Sequence, residues 1–209
     1  MTPDTLIDRA AVADLVQTER AARDQGQWDR MAGCFHPDSR VSLSWIETTG
    51  PAFVEASRAA FAAGVRHLHQ MSPTLVSLNG DRALAETGCV ILLPGAIGGV
   101  AVTVTCQARL FARAERRTPS EEGGVWRLAA LRPHYFRDSI AADLPGQVPV
   151  LDEARLAGYR ESYRFLSYLL EETGKTPRPD LAGADRPDLA EAAAAEEAAW
   201  LASCGPRGR

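Results

Sequence analysis

Residues 65–93 read VRHLHQMSPTLVSLNGDRALAETGCVILL, and how this stretch folds back on itself decides the class of fold. Two runs rich in apolar and β-favouring residues, Val65–Leu78 and Arg82–Leu93, flank Asn79-Gly80-Asp81. Asn-Gly supplies the positive-φ positions that a tight antiparallel turn needs, so the stretch reads as a β-hairpin. The period-two pattern continues downstream. Val100–Arg113 and Gly124–Asp138 are two more strands, with turns expected at Leu93-Pro-Gly-Ala and across Arg117–Gly124. Upstream the period becomes helical. Ile7, Ala11, Val12, Leu15, Val16 and Ala22 place a helix over residues 5–25, capped by Asp4 or Thr5 and stopped at Gly26. A short helix over Trp28–Phe35 and a strand over Arg40–Ile46 follow. Gly50-Pro51 then opens a third helix, Ala52–Ala63. Helix, helix, strand, helix and four antiparallel strands make an α+β layout, with three helices on one side of a curved sheet.

The character changes at Asp143. Leu144–Pro149 is a linker, Leu151–Glu172 reads as one helix, and Asp185-Arg-Pro-Asp188 caps an Ala-rich helix to about Ala202. The expected division is a domain over 1–142 and a helical extension over 143–209.

Composition bounds the function. The 209 residues are 45% hydrophobic and 24% charged, ordinary for a globular chain. Lys+Arg 23 against Asp+Glu 27 gives a net charge of −4, which lacks the basic footprint of a nucleic-acid binder or of a protein held on an anionic membrane. The longest weakly polar run, Cys89–Val102, is broken by Pro94 and three glycines and is too short to span a bilayer. The N-terminus has no signal layout. A cytoplasmic location is expected. The four cysteines show no zinc or redox spacing. No cofactor and no metal are expected.

Three groups of motifs then fall in order. Ala21-Ala-Arg-Asp-Gln-Gly-Gln-Trp-Asp-Arg-Met-Ala-Gly-Cys-Phe-His-Pro-Asp38 combines a helix end bearing an acid, a Gly turn, a Trp and Phe-x-Pro-Asp. His67-Leu-His-Gln-Met-Ser72 and Leu78-Asn-Gly-Asp-Arg-Ala83 come next. Trp126-Arg-Leu and Tyr135-Phe-Arg-Asp138 lie near the end. In this order they resemble the SnoaL-like branch of the NTF2-like superfamily, which includes scytalone dehydratase, bile-acid dehydratases, a dehydrochlorinase and polyketide cyclases. The resemblance covers about residues 4–140. It implies a bent sheet wrapping a long helix into a cone with an apolar pocket, a fold that serves enzymes and binding proteins alike.

Read from its own position, Asp24 is a solvated acid before a Gly turn, at the helix end where the dipole disfavours its charge. The resemblance implies a different role: the acid of this motif points inward and orients a histidine. His69 matches the family's pocket histidine, and imidazole suits proton transfer. Its plain reading is a junction residue bonding backbone carbonyls. His67 shares a face with His69 on a regular strand. It is a second pocket contact or half of a metal pair, but no further ligands are announced. Trp45, Arg132 and His134 are candidate substrate contacts, Arg132 for a developing anion, with Pro133 as a potential bulge between the last two. Glu86 is a weaker inward candidate. His36 reads as structural. The first helix lacks the tyrosines that dehydratases of the branch use, and Ser44 or Tyr135 are the available substitutes.

The resulting expectation is a cofactor-independent enzyme in which Asp24 and His69 abstract a proton from a small apolar, polyketide- or terpenoid-like metabolite, as dehydratase, isomerase or cyclase. The alternative is a non-catalytic binding or assembly module. The expected partners are a small-molecule substrate and a second copy of the chain in a homodimer, with no nucleic acid and no membrane.

Overall fold

The computed structural model describes residues 2–117 and 124–204. The chain runs through α1 (Pro3–Asp24), α2 (Trp28–Gly33), β1 (Phe35–Leu43), β2 (Ile46–Thr49), α3 (Gly50–Ala62), β3 (Leu68–Asn79), β4 (Arg82–Ile97), β5 (Val100–Glu115) and β6 (Arg127–Ala142). It continues with α4 (Glu153–Ala157), a 3-10 turn (Glu161–Tyr163), α5 (Arg164–Glu172) and α6 (Pro187–Ala202). The fold is α+β, with one open, curved sheet in the order β2-β1-β6-β5-β4-β3. β1 and β6 pair in parallel, a departure from the expected all-antiparallel sheet, while the other neighbours are antiparallel.

The hairpin turns at Gly80-Asp81, with Gly80 at φ +57° and Asn79 paired to Arg82. The turn expected at Leu93–Ala96 is absent. β4 runs on through Pro94 and Gly95, paired with Thr103 and Val102, and the chain reverses at Gly98-Gly99, both at positive φ. Proline is tolerated there because β3 stops pairing at Leu92, leaving β4 a single neighbour. The turn expected across Arg117–Gly124 falls mostly on 118–123, outside the described residues. Bulges bend the sheet. Ser72 and Pro73 together oppose Gly88, and β6 carries an extra residue at Ala129 and at Phe136.

The concave face is legible on β5, where seven alternate residues, Val102 through Ala114, are all buried. Leu110, Ala112 and Ala114 lie under α1, α2 and α3, with Val12, Val16, Met31, Phe53 and Val54. Val104, Cys106 and Ala108 lie under the extension, with Tyr163, Leu166, Leu169, Leu170 and Leu181. The extension therefore covers one end of the sheet and the N-terminal helices the other. Gly95 permits this closeness: a Cβ there would stand 2.4 Å from Leu169 Cδ1. The expected helix Leu151–Glu172 is broken after α4 at Gly158, and Arg160 is extended. The break is stabilised from afar, because Asp138 on β6 accepts the Leu166 N–H at 2.7 Å and so caps α5. α6 lies on the convex face. Trp200 sits against Arg82 and Arg113, and Asn79 Nδ2 donates to the terminal carbonyls of Leu201 and Cys204.

Helix α1 begins earlier than its apolar pattern suggests. Thr2 is the cap and Pro3 takes the first turn. Its buried stripe is Asp8, Val12, Val16, Glu19, Arg20 and Arg23, while Ile7 is exposed. Asp8 is held by Trp126 Nε1 at 2.9 Å and by Arg116. No helix among the described residues is long and apolar enough to cross a membrane.

Candidate active site

Asp24 is the last residue of α1, and Gly26 at φ +70° turns the chain away directly after it. His69 is the second residue of β3, an edge strand, so alternate backbone N–H groups there point away from the ladder. Asp24 uses this geometry twice. Its Oδ2 accepts the His69 backbone N–H at 2.7 Å, and its Oδ1 accepts from the His69 ring Nδ1, also at 2.7 Å. A carboxylate can only accept, so Nδ1 carries the imidazole proton and Nε2 keeps its lone pair.

The ring of His69 is almost wholly buried and lines a cavity of about 40 Å³. The cavity lies where the two halves of the concave core meet. Its walls are Arg20 and Arg23 from α1, Leu43, Ser44 and Trp45 from the β1–β2 corner, and His67 beside His69. Ile91, Leu93, Leu110 and Tyr135 come from the sheet, and Leu166 and Leu170 from α5. The walls are mainly apolar, with cations and imidazoles converging from one side. That is the layout of a small-molecule site.

Burial sets the protonation states. It pulls His69 down to about 4, against the hydrogen bond to Asp24, with Arg20 and Arg23 adding to the fall. It pulls His67 down to about 3, helped by Arg23 and His69. Both imidazoles are neutral at pH 7. Burial also raises Asp24, but the His69 bonds and the Arg23 guanidinium 3.8 Å away outweigh this and hold the carboxyl below its ordinary value. Burial and Arg20 draw Arg23 down to about 10, still a cation. Arg20 is bidentate to Glu19, at 2.5 and 2.6 Å, with both side chains buried. Burial raises the Tyr135 hydroxyl, which is hydrogen-bonded with Ser44.

Asp24 is bonded to His69, and His69, His67 and Trp45 share one cavity wall. Trp45 does so from the corner after β1, not from a strand end. Ser44 and Tyr135, the proposed substitutes for the missing helix tyrosines, are also in the wall. Arg132 and His134 are not. The bulge at Ala129 shifts the alternation by one, so Leu131, Pro133 and Tyr135 face inward and Arg132 and His134 face out. Pro133 itself stays in register with Leu110. Arg132 pairs with Glu196 and Glu197 of α6, and His134 stacks on Phe136 at 4.8 Å. Glu86 also faces out and pairs with Arg109. His36 is structural, its Nε2 meeting the Glu115 carbonyl at 3.0 Å.

Arg20 and Arg23 also line the cavity, although charged residues on a helix read as solvated. Their signal is spacing: positions 12, 16, 20 and 23 continue one stripe that starts on valine. A larger groove of about 520 Å³ lies on the convex face, but its arginines 40, 113, 117, 132 and 178 are all ion-paired. Among the described residues no cluster of His, Cys, Asp and Glu has the makings of a metal site.

A cone-like α+β fold with a helix-end acid clamping a strand histidine at an internal cavity defines a SnoaL/NTF2-like protein. The chain belongs to the SnoaL-like domain family, whose match spans residues 4–132. A PEP2-like protein of Fusarium vanettenii is 27% identical over 175 residues, covering 82% of this chain and 73% of the relative. A 1–142 domain is only 68% of the chain, so that likeness reaches into the extension. Among solved structures, a hexachlorocyclohexane dehydrochlorinase of Novosphingobium barchaimii is 18% identical and covers 71% of this chain and 97% of its own, with a TM-score of 0.54. A Mycobacterium tuberculosis protein of unknown function is 21% identical and covers 86% and 99%, with a TM-score of 0.53. These two share the fold.

Proposed function

We propose that this protein is a cofactor-independent enzyme that starts its reaction by removing a proton from carbon. His69 Nε2 takes the proton, Asp24 fixes the tautomer and stabilises the imidazolium, and Arg20 and Arg23 stabilise the negative charge that develops on substrate oxygen or on a leaving group. Elimination of water or of an acid, isomerisation and aldol cyclisation all begin this way. The dehydrochlorinase among the fold neighbours, named for an elimination, favours that branch. The observation that carries the reading is the double clamp of Asp24 on His69, at 2.7 Å to ring and backbone. With α5 seated, about 40 Å³ holds roughly three waters. A substrate therefore enters by displacing Leu166 and Leu170.

The test is deuterium wash-in. A panel of cyclic ketones and β-hydroxy ketones is incubated with the protein in D2O and followed by proton NMR. Exchange next to the carbonyl is expected with the wild type and is lost in Asp24→Asn and His69→Ala, with folding checked by circular dichroism. Equal exchange by wild type and both variants refutes the mechanism.

A further inference from the structure

Lysine occurs once in the 209 residues, at Lys175. The other 22 of the 23 basic residues are arginine. Lys175 stands just past α5, where Gly174 at φ +74° ends the helix and the Lys175 N–H donates to Leu170 O at 3.0 Å. The backbone at Lys175 is thus tied to the same helix whose Leu166 and Leu170 close the cavity. Its ammonium lies 4.4 Å from the centroid of the Trp45 ring, a cavity wall. The side chain is only partly exposed. Burial and the Arg23 charge both pull its pKa down, and its own charge in turn lowers His67. Lys175 thus packs on Trp45, which shares the cavity wall with Arg23 and His67.

The charges around the cavity do not cancel. Arg20 is matched by Glu19, and Arg23 by Asp24. Both histidines are neutral. Among the described residues Lys175 has no carboxylate at ion-pairing distance. One positive charge is left over, on the one flexible amine, against an aromatic ring at the edge of an apolar cavity. Partly buried cations are normally paired or hydrogen-bonded, so this arrangement is complete only when an anion arrives.

We propose that Lys175 is a recognition residue for an anionic substrate: a small molecule whose apolar body fills the cavity and whose carboxylate is held by Lys175 and Arg23. Entry displaces Leu166 and Leu170, and the bond from the Lys175 N–H to Leu170 O couples capture of the carboxylate to the position of α5. The inference rests on the Asp24–His69 reading for what happens to the ligand afterwards, but not for its binding.

The probes are benzoate and its neutral isostere benzamide. Binding is measured by calorimetry, and the rate of reductive methylation of the lone lysine by mass spectrometry, with the α-amino group as internal reference. Benzoate is expected to bind at least tenfold more tightly than benzamide and to slow Lys175 methylation at least threefold. In Lys175→Met the preference for benzoate falls at least tenfold while benzamide binding is unchanged. Lys175→Arg keeps the preference, which separates charge from a folding defect. Asp24→Asn binds benzoate at least as tightly as the wild type, because it removes a negative charge 3.8 Å from Arg23. Failure of the wash-in experiment is thereby distinguishable from failure of anion recognition. Equal affinities for the two probes, no benzoate binding, or wild-type preference in Lys175→Met overturns the proposal.

Discussion

Asp24→Asn is nearly isosteric, yet it reverses the logic of the site. The native carboxylate accepts two hydrogen bonds from His69, one from the backbone N–H and one from the ring. An asparagine has one accepting oxygen and one donating amide. The backbone N–H can only donate, so the oxygen must face it and the NH2 must face Nδ1. Nδ1 then becomes an acceptor and the ring proton moves to Nε2, the atom facing the cavity. The base is lost while the fold stays. A carboxylate and an imidazolium 2.7 Å apart attract by about 6 kcal/mol at an effective dielectric near 20. The transition state develops part of that charge. A loss of about 4–5 kcal/mol, or roughly 10³–10⁴ in kcat, is expected. Stability falls far less, because a charge-assisted bond becomes a neutral one at a cost of about 1 kcal/mol, or roughly 2–4 °C in Tm. Long-range proton–nitrogen correlation spectra report the tautomer without any substrate: Nδ1–H in the wild type, Nε2–H in the variant. An unchanged tautomer, or more than a tenth of wild-type wash-in, refutes the reasoning.

Other outcomes follow from the same geometry. His67 and His69 lie well below the ordinary histidine value when folded, at about 3 and 4, so the unfolded chain binds more protons. Stability is complete above pH 6.5 and is lost as pH falls from there toward 4, by roughly 2 kcal/mol per histidine at pH 5; urea midpoints at pH 7 and 5 measure it. Asp138, which burial raises to about 6, acts in the opposite sense between pH 4 and 6, so Asp138→Asn should steepen the acid loss. Glu19→Gln leaves the buried Arg20 charge unmatched and should cost about 3–5 kcal/mol in urea denaturation, whereas a loss under 1 kcal/mol contradicts the pairing. Gly95→Ala drives a Cβ into Leu169 and should destabilise by about 1–3 kcal/mol, with faster proteolysis after Arg160 or Arg164 as α5 lifts.

How much of this the sequence carried can be judged residue by residue. The hairpin at Asn79-Gly80-Asp81 follows from local chemistry, a positive-φ turn at Gly80; the meeting of Asp24 with His69, 45 residues apart, was legible only through the family resemblance, since by its own position Asp24 reads as a solvated acid. The outward turn of Arg132 and His134 was not legible, because one extra residue at Ala129 reverses the facing of the side chains on β6 until the second extra residue, at Phe136, restores it. No glycine or proline marks that position. The run through Pro94 was hidden for a related reason. A proline reads as a stop unless it is known that the neighbouring strand has already ended. The break at Gly158 depends on Asp138, 28 residues from the Leu166 amide it caps, and no local pattern announces such a partner.

The electrostatics of His69 connect the extension to the chemistry. Buried beside Arg20 and Arg23, the ring resists a proton, and its conjugate acid near 4 makes a weak base at pH 7. Catalytic bases work best when their pKa lies near the operating pH. The carboxylate of Asp24 offsets only part of the burial, and Arg23 already draws on that same carboxylate at 3.8 Å. What strengthens the base is a second negative charge near the arginines, because each unit recovered in His69 is about 1.4 kcal/mol of imidazolium stabilisation. A carboxylate held by Lys175 and Arg23 supplies it, and so does an oxyanion forming in the transition state. On this account the resting site is kept weakly basic by burial and by its arginines, and the ligand's own charge brings His69 toward working strength once it is bound beside them.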